Sequence, residues 1–366
     1  MMSQDLDKIE TVIEAAKAGK MFVLVDDEDR ENEGDLVIPA AVIGPEHINF
    51  MAKYGRGLIC LAMDQPGIHR LGLNLMPQSH ESRFSTAFTY SIEAREGVTT
   101  GISAADRAHT IQVACHHDSN AQHIATPGHV FPLVARQGGV LVRAGHTEAA
   151  VDIARMAGHT NKAGESAGVI CEIMNDDGEM MRLNELLGFA AHHGLPIGTI
   201  ADLIAYRRQH DHFITLRHQE SAKIPDIGEF DLKIYINEID GVEHIALTKG
   251  KISPNNPIPV RMHRFSFMQD LFLQGDKDNM IKKSLRKIEE MGCGVLVLIR
   301  EANKNELMHH LHHASEDESD GLRAYGVGAQ ILLELNVRRM RLLSNHPKPI
   351  IGLEGYGLTV EDWLSI

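Results

Sequence analysis

Between Val25 and Leu36 the chain reads DDEDRENEGD (26–35), seven carboxylates around a single arginine, Arg30. An acidic run by itself is most often a solvated face. This one directly follows the apolar run MFVLV (21–25) and closes on Gly34 and Asp35, so a buried strand delivers it to a fixed place. Carboxylates held together repel one another, and a divalent cation relieves that repulsion. Hard oxygen donors without cysteine favour Mg²⁺ or Mn²⁺ over zinc. The second signal is RAGHT (143–147), a cationic side chain, a small-residue turn, an imidazole and a hydroxyl where a helix is expected to begin. Backbone N–H groups, the helix dipole and Arg143 together suit an anion such as phosphate. His129, in TPGHVFPL (126–133), stands just before a predicted strand and is a third candidate. A divalent cation, a phosphate and several proton-carrying groups are what enolisation of a sugar phosphate requires.

Composition narrows the alternatives. Lysine and arginine number 36 against 50 aspartates and glutamates, a net charge of −14, which disfavours a nucleic-acid backbone as partner. Aromatic content is 5%, a poor stacking platform for single strands. The four cysteines, Cys60, Cys115, Cys171 and Cys293, are scattered, which implies a reducing compartment and no cysteine-held zinc. The opening residues MMSQDLDKIE hold no apolar signal core, and the longest aliphatic run, 295–299, is too short to span a bilayer. The expectation is a cytoplasmic protein without membrane or nucleic-acid partners.

Elements that would position these groups are readable in outline. Ile9, Val12, Ile13 and Ala16 recur at helical spacing and Gly19 stops them. Runs 21–25 and 36–41 predict two strands joined by the acidic loop. Further strands are expected at 57–63, 88–94, 129–136, 139–145 and 168–174, with breaks at Pro132 and at Gly138-Gly139. Ser103 opens a helix in a capping-box-like spacing with Asp106. Another helix covers 146–158 with Thr147 as N-cap, and a third covers 184–194. His116, His117 and His123 fall in a polar segment and read as surface residues. Alternating strands and helices predict a mixed α/β (α+β) domain that closes with a helix in 198–212. That gives domains at 1–208 and 209–366. The second begins with alternating strands, then predicts a helix at 279–291, a strand at 294–300, a polar His- and acid-rich stretch at 302–321, a helix at 324–335, a strand at 339–344 and a final GLEGYGL loop.

Six separated motifs carry a resemblance: FVLVDDEDRENEGDLVIPA (22–40), RGLICLAM (56–63), GISAADRAHTI (101–111), TPGHVFPLVAR (126–136), RAGHTEAAVDIARMAG (143–158) and GVICEIMNDDGEM (168–180). In this order they resemble 3,4-dihydroxy-2-butanone 4-phosphate synthase over about the first 207 residues. The resemblance implies conversion of ribulose 5-phosphate to 3,4-dihydroxy-2-butanone 4-phosphate and formate with Mg²⁺ or Mn²⁺, in riboflavin biosynthesis, by a homodimer. It implies Glu31 and His146 as metal ligands. Arg30, Glu31, Asp35, Cys60, Arg143, Ala144, Gly145, His146, Thr147 and Glu172 would bind substrate. Glu33, Asp35, His129 and Glu172 would carry the proton transfers. Asp26, Ser103, Asp106 and Arg107 also match family positions. The extra stretch HTNKAGES (159–166) falls between motifs.

The second domain resembles GTP cyclohydrolase II in YGVGAQILLELNVRRMRLLSNHPKPIIGLEGYGL (325–358) and in EFDLKIY, HIALTKG and PVRMH. That family carries a Cys-rich zinc motif directly after the residues matching PVRMH, where this chain reads RFSFMQDLFLQGDKDN without a cysteine. Gly321 stands where the family has a proton-accepting aspartate, although Arg323 and Tyr325 remain, and the nucleotide-binding stretch is unrecognisable. Cys293 reads as a core thiol, and HHLHH (309–313) as a helix face or loop. The expectation is a cyclohydrolase-like fold without zinc and without that activity. The alternative is a bifunctional synthase and GTP cyclohydrolase II.

Overall fold

The computed structural model describes residues 6–27, 30–77, 86–265, 270, 280–300, 318–345 and 356–366, with side chains in the helix that begins at Glu318 described from 326 onward. The chain divides into two compact units, Met1–Arg207 and Arg208–Ile366.

In the first unit the elements run α1 (Ile9–Lys17), β1 (Phe22–Val25), β2 (Gly34–Pro39), α2 (Pro45–Phe50), β3 (Cys60–Met63), α3 (Gln65–Arg70), β4 (Ile92–Ala94), α4 (Ala104–Cys115), β5 (Ile124–Val134), α5 (His146–Met156), β6 (Ala167–Glu172), α6 (Leu183–His193), β7 (Ile197–Thr199) and α7 (Ile200–His210). The strands form one mixed sheet in the order β4-β5-β3-β6-β2-β1-β7. Side chains alternate across a strand, and both faces are buried. Val23, Leu36, Leu61, Val169 and Cys171 meet α2, α4 and α6 through Ile48, Ile111 and Leu186. Phe22, Leu24, Val37, Cys60 and Ile170 meet α1, α5 and α7 through Val12, Ile153 and Leu203. That double burial is why β1 reads as an unbroken apolar run.

In the second unit β8 (Ile214–Ile224), β9 (Gly228–Asn237), β10 (Glu243–Lys249), β11 (Ile258–Arg264), β12 (Gly294–Ile299), β13 (Arg339–Leu343) and β14 (Thr359–Leu364) form a second mixed sheet, ordered β14-β13-β11-β12-β10-β9-β8. One face packs on α9 (Glu318–Glu334) through Ala329, Ile331 and Leu332, the other on α8 (Met280–Met291) through Leu285 and Ile288.

Several expectations need correction. Pro132 does not break its strand, because β5 runs from Ile124 to Val134. Its carbonyl accepts from Thr89 N–H at 3.0 Å, so the missing N–H faces residues 88–90, where no continuous ladder demands a donor. Residues 139–141 form a 3₁₀ turn instead of a strand. Gly138 and Gly139 take φ of 92° and 63°, and the Asp152 carboxylate accepts from Val140 N–H at 2.8 Å. Only Ile92–Ala94 of the 88–94 run is strand. Gly145, not Thr147, is the N-cap of α5, with Thr147 already inside the helix. The chain's end carries β14, whose half-exposed alternation gave little apolar signal. Cys293 is half-buried in the turn before β12, not a core thiol. Gly321 lies in α9, while the HHLHH cluster and the side chains of Arg323 and Tyr325 lie outside the described residues.

Candidate active site

Asp26 folds the acidic loop. Its side chain is fully buried at the end of β1. It accepts from Arg30 Nη1 at 2.6 Å, from Glu33 N–H at 2.9 Å and from Glu31 N–H at 3.3 Å. Its own N–H returns to the Glu33 carbonyl at 3.2 Å, which turns the loop into β2. Asn32 takes a left-handed φ of 54°, a conformation asparagine tolerates better than most residues. Arg182 donates to the carbonyls of Glu31, at 2.9 Å, and of Asn32. Arg30 also grips Glu31 through two bonds of 2.7 and 3.0 Å, the bidentate geometry in which arginine excels.

His146 opens α5 beneath this loop. Its Nε2 lies 3.2 Å from the Leu24 carbonyl, which can only accept, so Nε2 carries the proton. Nδ1 then presents its lone pair, 3.8 Å from Asp35 Oδ1. Burial lowers the imidazole pKa to about 4, and the ring is neutral at physiological pH. Asp35 is buried, and its Oδ1 has no hydrogen-bond partner. His146 Nδ1 and Asp35 Oδ1 thus face each other at 3.8 Å without a hydrogen bond between them. Asp26, Glu31 and His146 each offer a donor atom within 4.8 Å of the others. This mixed oxygen and nitrogen set, free of sulfur, fits a hard divalent cation.

Sheet pairing completes the cluster. β2 and β6 place Asp35 opposite Glu172. Burial first, then repulsion from Glu172, Glu33, Glu31 and Asp26, holds the Asp35 carboxyl well above its usual range. Burial and Glu31 also raise Glu33, against the pull of Arg182. Leu58 N–H donates to Glu172 Oε2 at 2.8 Å, and Gly57 N–H to the Glu172 carbonyl at 3.2 Å. Cys60 pairs with Ile170, two residues before Glu172. Burial and the charges of Glu172 and Asp35 push its thiol strongly upward, so it lines the site as a neutral group.

At Gly57 a Cβ would stand 2.5 Å from Glu172 Oε2 and 2.7 Å from Glu172 N. Gly57→Ala is therefore expected to displace Glu172, lowering kcat ~100-fold and stability by about 1–3 kcal/mol. Steady-state kinetics beside thermal melting checks both.

RAGHT sits at the same end of α5. Arg143 Nη1 pairs at 2.6 Å with Glu148, whose buried carboxylate also accepts from Arg136 N–H at 3.0 Å. The first helical bond is Ala149 N–H to Gly145 O at 3.0 Å, so the N–H groups of residues 146–148 precede the helical ladder, as an anion site requires. Ala144 is exposed. His129 is not in this cluster. It lies two residues before Phe131, the partner of Cys60, on the sheet face that holds Cys60 and Glu172, but three strands from β2. At the usual strand spacing that is roughly 14 Å. Its Nδ1 lies 2.8 Å from Glu93 Oε2.

Residues 10–206 match the family described as 3,4-dihydroxy-2-butanone 4-phosphate synthase. A protein of that name from Pseudomonas aeruginosa is 45% identical over 98% of this chain and 99% of its own. This chain belongs to the 3,4-dihydroxy-2-butanone 4-phosphate synthase family. Residues 216–365 match GTP cyclohydrolase II. The "Bifunctional riboflavin biosynthesis protein RIBA 1, chloroplastic" of Arabidopsis thaliana is 43% identical over 96% of this chain and 67% of its own. Among solved structures, RibBX from A. baumannii, described as a two-domain 3,4-dihydroxy-2-butanone 4-phosphate synthase, aligns with a TM-score of 0.76. It is 40% identical over 98% of this chain and 99% of its own. A 3,4-dihydroxy-2-butanone 4-phosphate synthase in complex with two magnesium ions aligns with a TM-score of 0.52. It is 38% identical over 56% of this chain and 98% of its own.

Ser103 and Asp106, which match family positions, take structural roles in the fold. Ser103 Oγ caps α4 by accepting from Asp106 N–H at 3.0 Å. Asp106 does not reciprocate. Its carboxylate accepts from Thr99 N–H, Thr99 Oγ1 and Gly101 N–H at 3.1, 2.7 and 3.0 Å. Sequence reasoning missed Gly57, Glu93, Glu148 and Arg182. Glu148 directly follows RAGHT, where an acid complements the helix dipole in any case, so nothing local marks it as the Arg143 partner.

Proposed function

We propose that the first unit converts D-ribulose 5-phosphate to L-3,4-dihydroxy-2-butanone 4-phosphate and formate in riboflavin biosynthesis, as a Mg²⁺- or Mn²⁺-dependent lyase. The observation that carries the reading is the convergence of Asp26, Glu31, neutral His146 and the unpartnered Asp35 Oδ1 at the start of α5, inside a family match over residues 10–206. Glu31 and His146 would hold the cation, with Asp26 setting the loop that presents Glu31. Bound there, a divalent cation supplies Lewis-acid stabilisation of an enediolate.

The remaining work falls to the chain's own groups. Arg143 and the N-terminus of α5 hold the phosphate. Arg30 turns toward the substrate from the carboxylates it pairs with. Asp35, whose carboxyl burial and neighbouring carboxylates hold well above its usual range, serves as an acid. Glu172, fixed by Leu58 N–H, and Glu33 exchange protons with the carbon skeleton. The resemblance assigns a further acid/base role to His129, which lies outside this cluster in the chain. Cys60 closes the wall as a neutral thiol.

The protein is further proposed to act as a cytoplasmic homodimer, with the second unit in an oligomerising, stabilising or regulatory role. No helix among the described residues is long and apolar enough to cross a membrane. The test is formate release from ribulose 5-phosphate by purified protein. EDTA should stop it, and Mg²⁺ or Mn²⁺ should restore it. Turnover indifferent to the chelator would refute the metal assignment.

A further inference from the structure

We propose that Glu93 is the positioning residue for His129, fixing both the orientation of its ring and its tautomer. The inference rests on the reading that His129 takes part in the reaction.

The local chain explains the pairing. β4 pairs with β5 at Ile92↔Val130 and Glu93↔Ala125, with an irregularity between Ile92 and Glu93. Residues 126–129 therefore have no partners of their own in the ladder and bulge from β5, with a cis bond at Thr126-Pro127. Bulges of this kind re-aim a side chain and recur beside active sites. Gly128 lies so close to the Ile92 carbonyl that no Cβ fits there, and its N–H donates to Ser91 Oγ at 3.1 Å. The bulge is thus pinned against β4, and His129 emerges beside Glu93.

One carboxylate oxygen then holds His129 twice. Glu93 Oε2 accepts from His129 N–H at 3.1 Å and contacts its Nδ1 at 2.8 Å. A carboxylate only accepts, so Nδ1 carries the proton. Nε2 is left with a lone pair on a side chain that is 43% exposed, while the Glu93 side chain is only 15% exposed. The other oxygen, Oε1, is buried without a hydrogen-bond partner. Gly101, at φ 85°, packs over this carboxyl where no side chain fits, and Asp106 holds the Gly101 N–H. The Asp106 network therefore seats the Gly101 turn, the turn confines Glu93, and Glu93 orients His129. A histidine whose tautomer is fixed by a carboxylate at one nitrogen presents the other as a base.

The experiment combines kinetics with ¹⁵N histidine NMR on full-length protein, the His129 signals being assigned by their loss in His129→Ala. Glu93→Ala should lower kcat on ribulose 5-phosphate ~100-fold with KM within about twofold, and the Nδ1–H form of His129 should give way to Nε2–H. Glu93→Gln retains an acceptor and fills the same space. It should keep the Nδ1–H tautomer and recover part of the lost rate, to about tenfold below wild type. An unchanged tautomer in Glu93→Ala overturns the proposal even if activity falls, since the loss is then merely structural. Wild-type kcat in Glu93→Ala overturns it as well. A fully active His129→Ala removes instead the reading that His129 takes part, and the tautomer result separates the two failures.

Discussion

Glu31→Gln and His146→Ala are each expected to lower formate release by ~10³-fold or more at saturating Mg²⁺, the largest losses of any single substitutions in the first unit. Both residues lie in the one cluster of oxygen and nitrogen donors among the described residues that also contains a buried acid. Stabilising the negative charge of an enediolate contributes several kcal/mol, and every 1.4 kcal/mol is a factor of ten. Glu31→Gln keeps the shape of the side chain and an acceptor for Arg30, so its loss reports charge. His146→Ala removes a buried ring and should also lower the melting temperature by a few degrees, which differential scanning separates from the kinetic effect. Either variant within tenfold of wild type at saturating metal would remove that residue from the ligand set. Arg30 sharpens the contrast. It binds both Asp26 and Glu31, so in Glu31→Gln it keeps its Asp26 partner and the loop should stay folded.

The parts of this site visible in the sequence are those whose signal is local. An acidic run against an unbroken apolar strand announces a loop with a fixed base, and β1 and β2 do pair antiparallel from Phe22↔Val37 to Val25↔Gly34. A small-residue turn before an amphipathic pattern announces a helix start, although the cap proved to be Gly145. Pairings across the sheet are invisible in the same way that register is invisible, because period-two alternation does not say which strand lies alongside. Asp35 meets Glu172, Leu58 and Gly57 hold Glu172, and Glu93 meets His129 only because β2-β6, β3-β6 and β4-β5 are neighbours. Pro132 misled for a related reason. A proline breaks a strand only where its missing donor is needed, and that depends on which side faces a ladder.

Full-length protein is expected not to convert GTP, even with added zinc. The described residues of the second unit keep two packed cores, one on each face of its sheet. Val260, Val295, Val297 and Met340 are fully buried on one sheet face, and Leu296 meets Ile288 on the other. What the sequence lacks is the Cys-rich zinc motif that the resemblance calls for. A catalytic zinc needs three protein ligands and an open position for water. Cys293 is the one cysteine after residue 208, and it sits half-buried before β12. Gly321 stands in place of the proton-accepting aspartate that the resemblance calls for, and a glycine moves no proton. General base catalysis alone contributes ~10²–10⁴-fold, and metal activation of water is a separate contribution. The opposite expectation has its own support, since residues 216–365 match the cyclohydrolase family and an Arabidopsis relative is called bifunctional. Zinc content and GTP-dependent release of formate and pyrophosphate, measured on protein as purified and again after zinc addition, decide between them. Less than stoichiometric zinc with no GTP turnover leaves a fold retained without its reaction, because burying the two faces of a sheet asks only for apolar residues in the right register, while the reaction asks for particular side chains at single positions. Stoichiometric zinc with steady turnover would instead mean that the chain's own histidines have rebuilt a metal site, and the chain would be bifunctional.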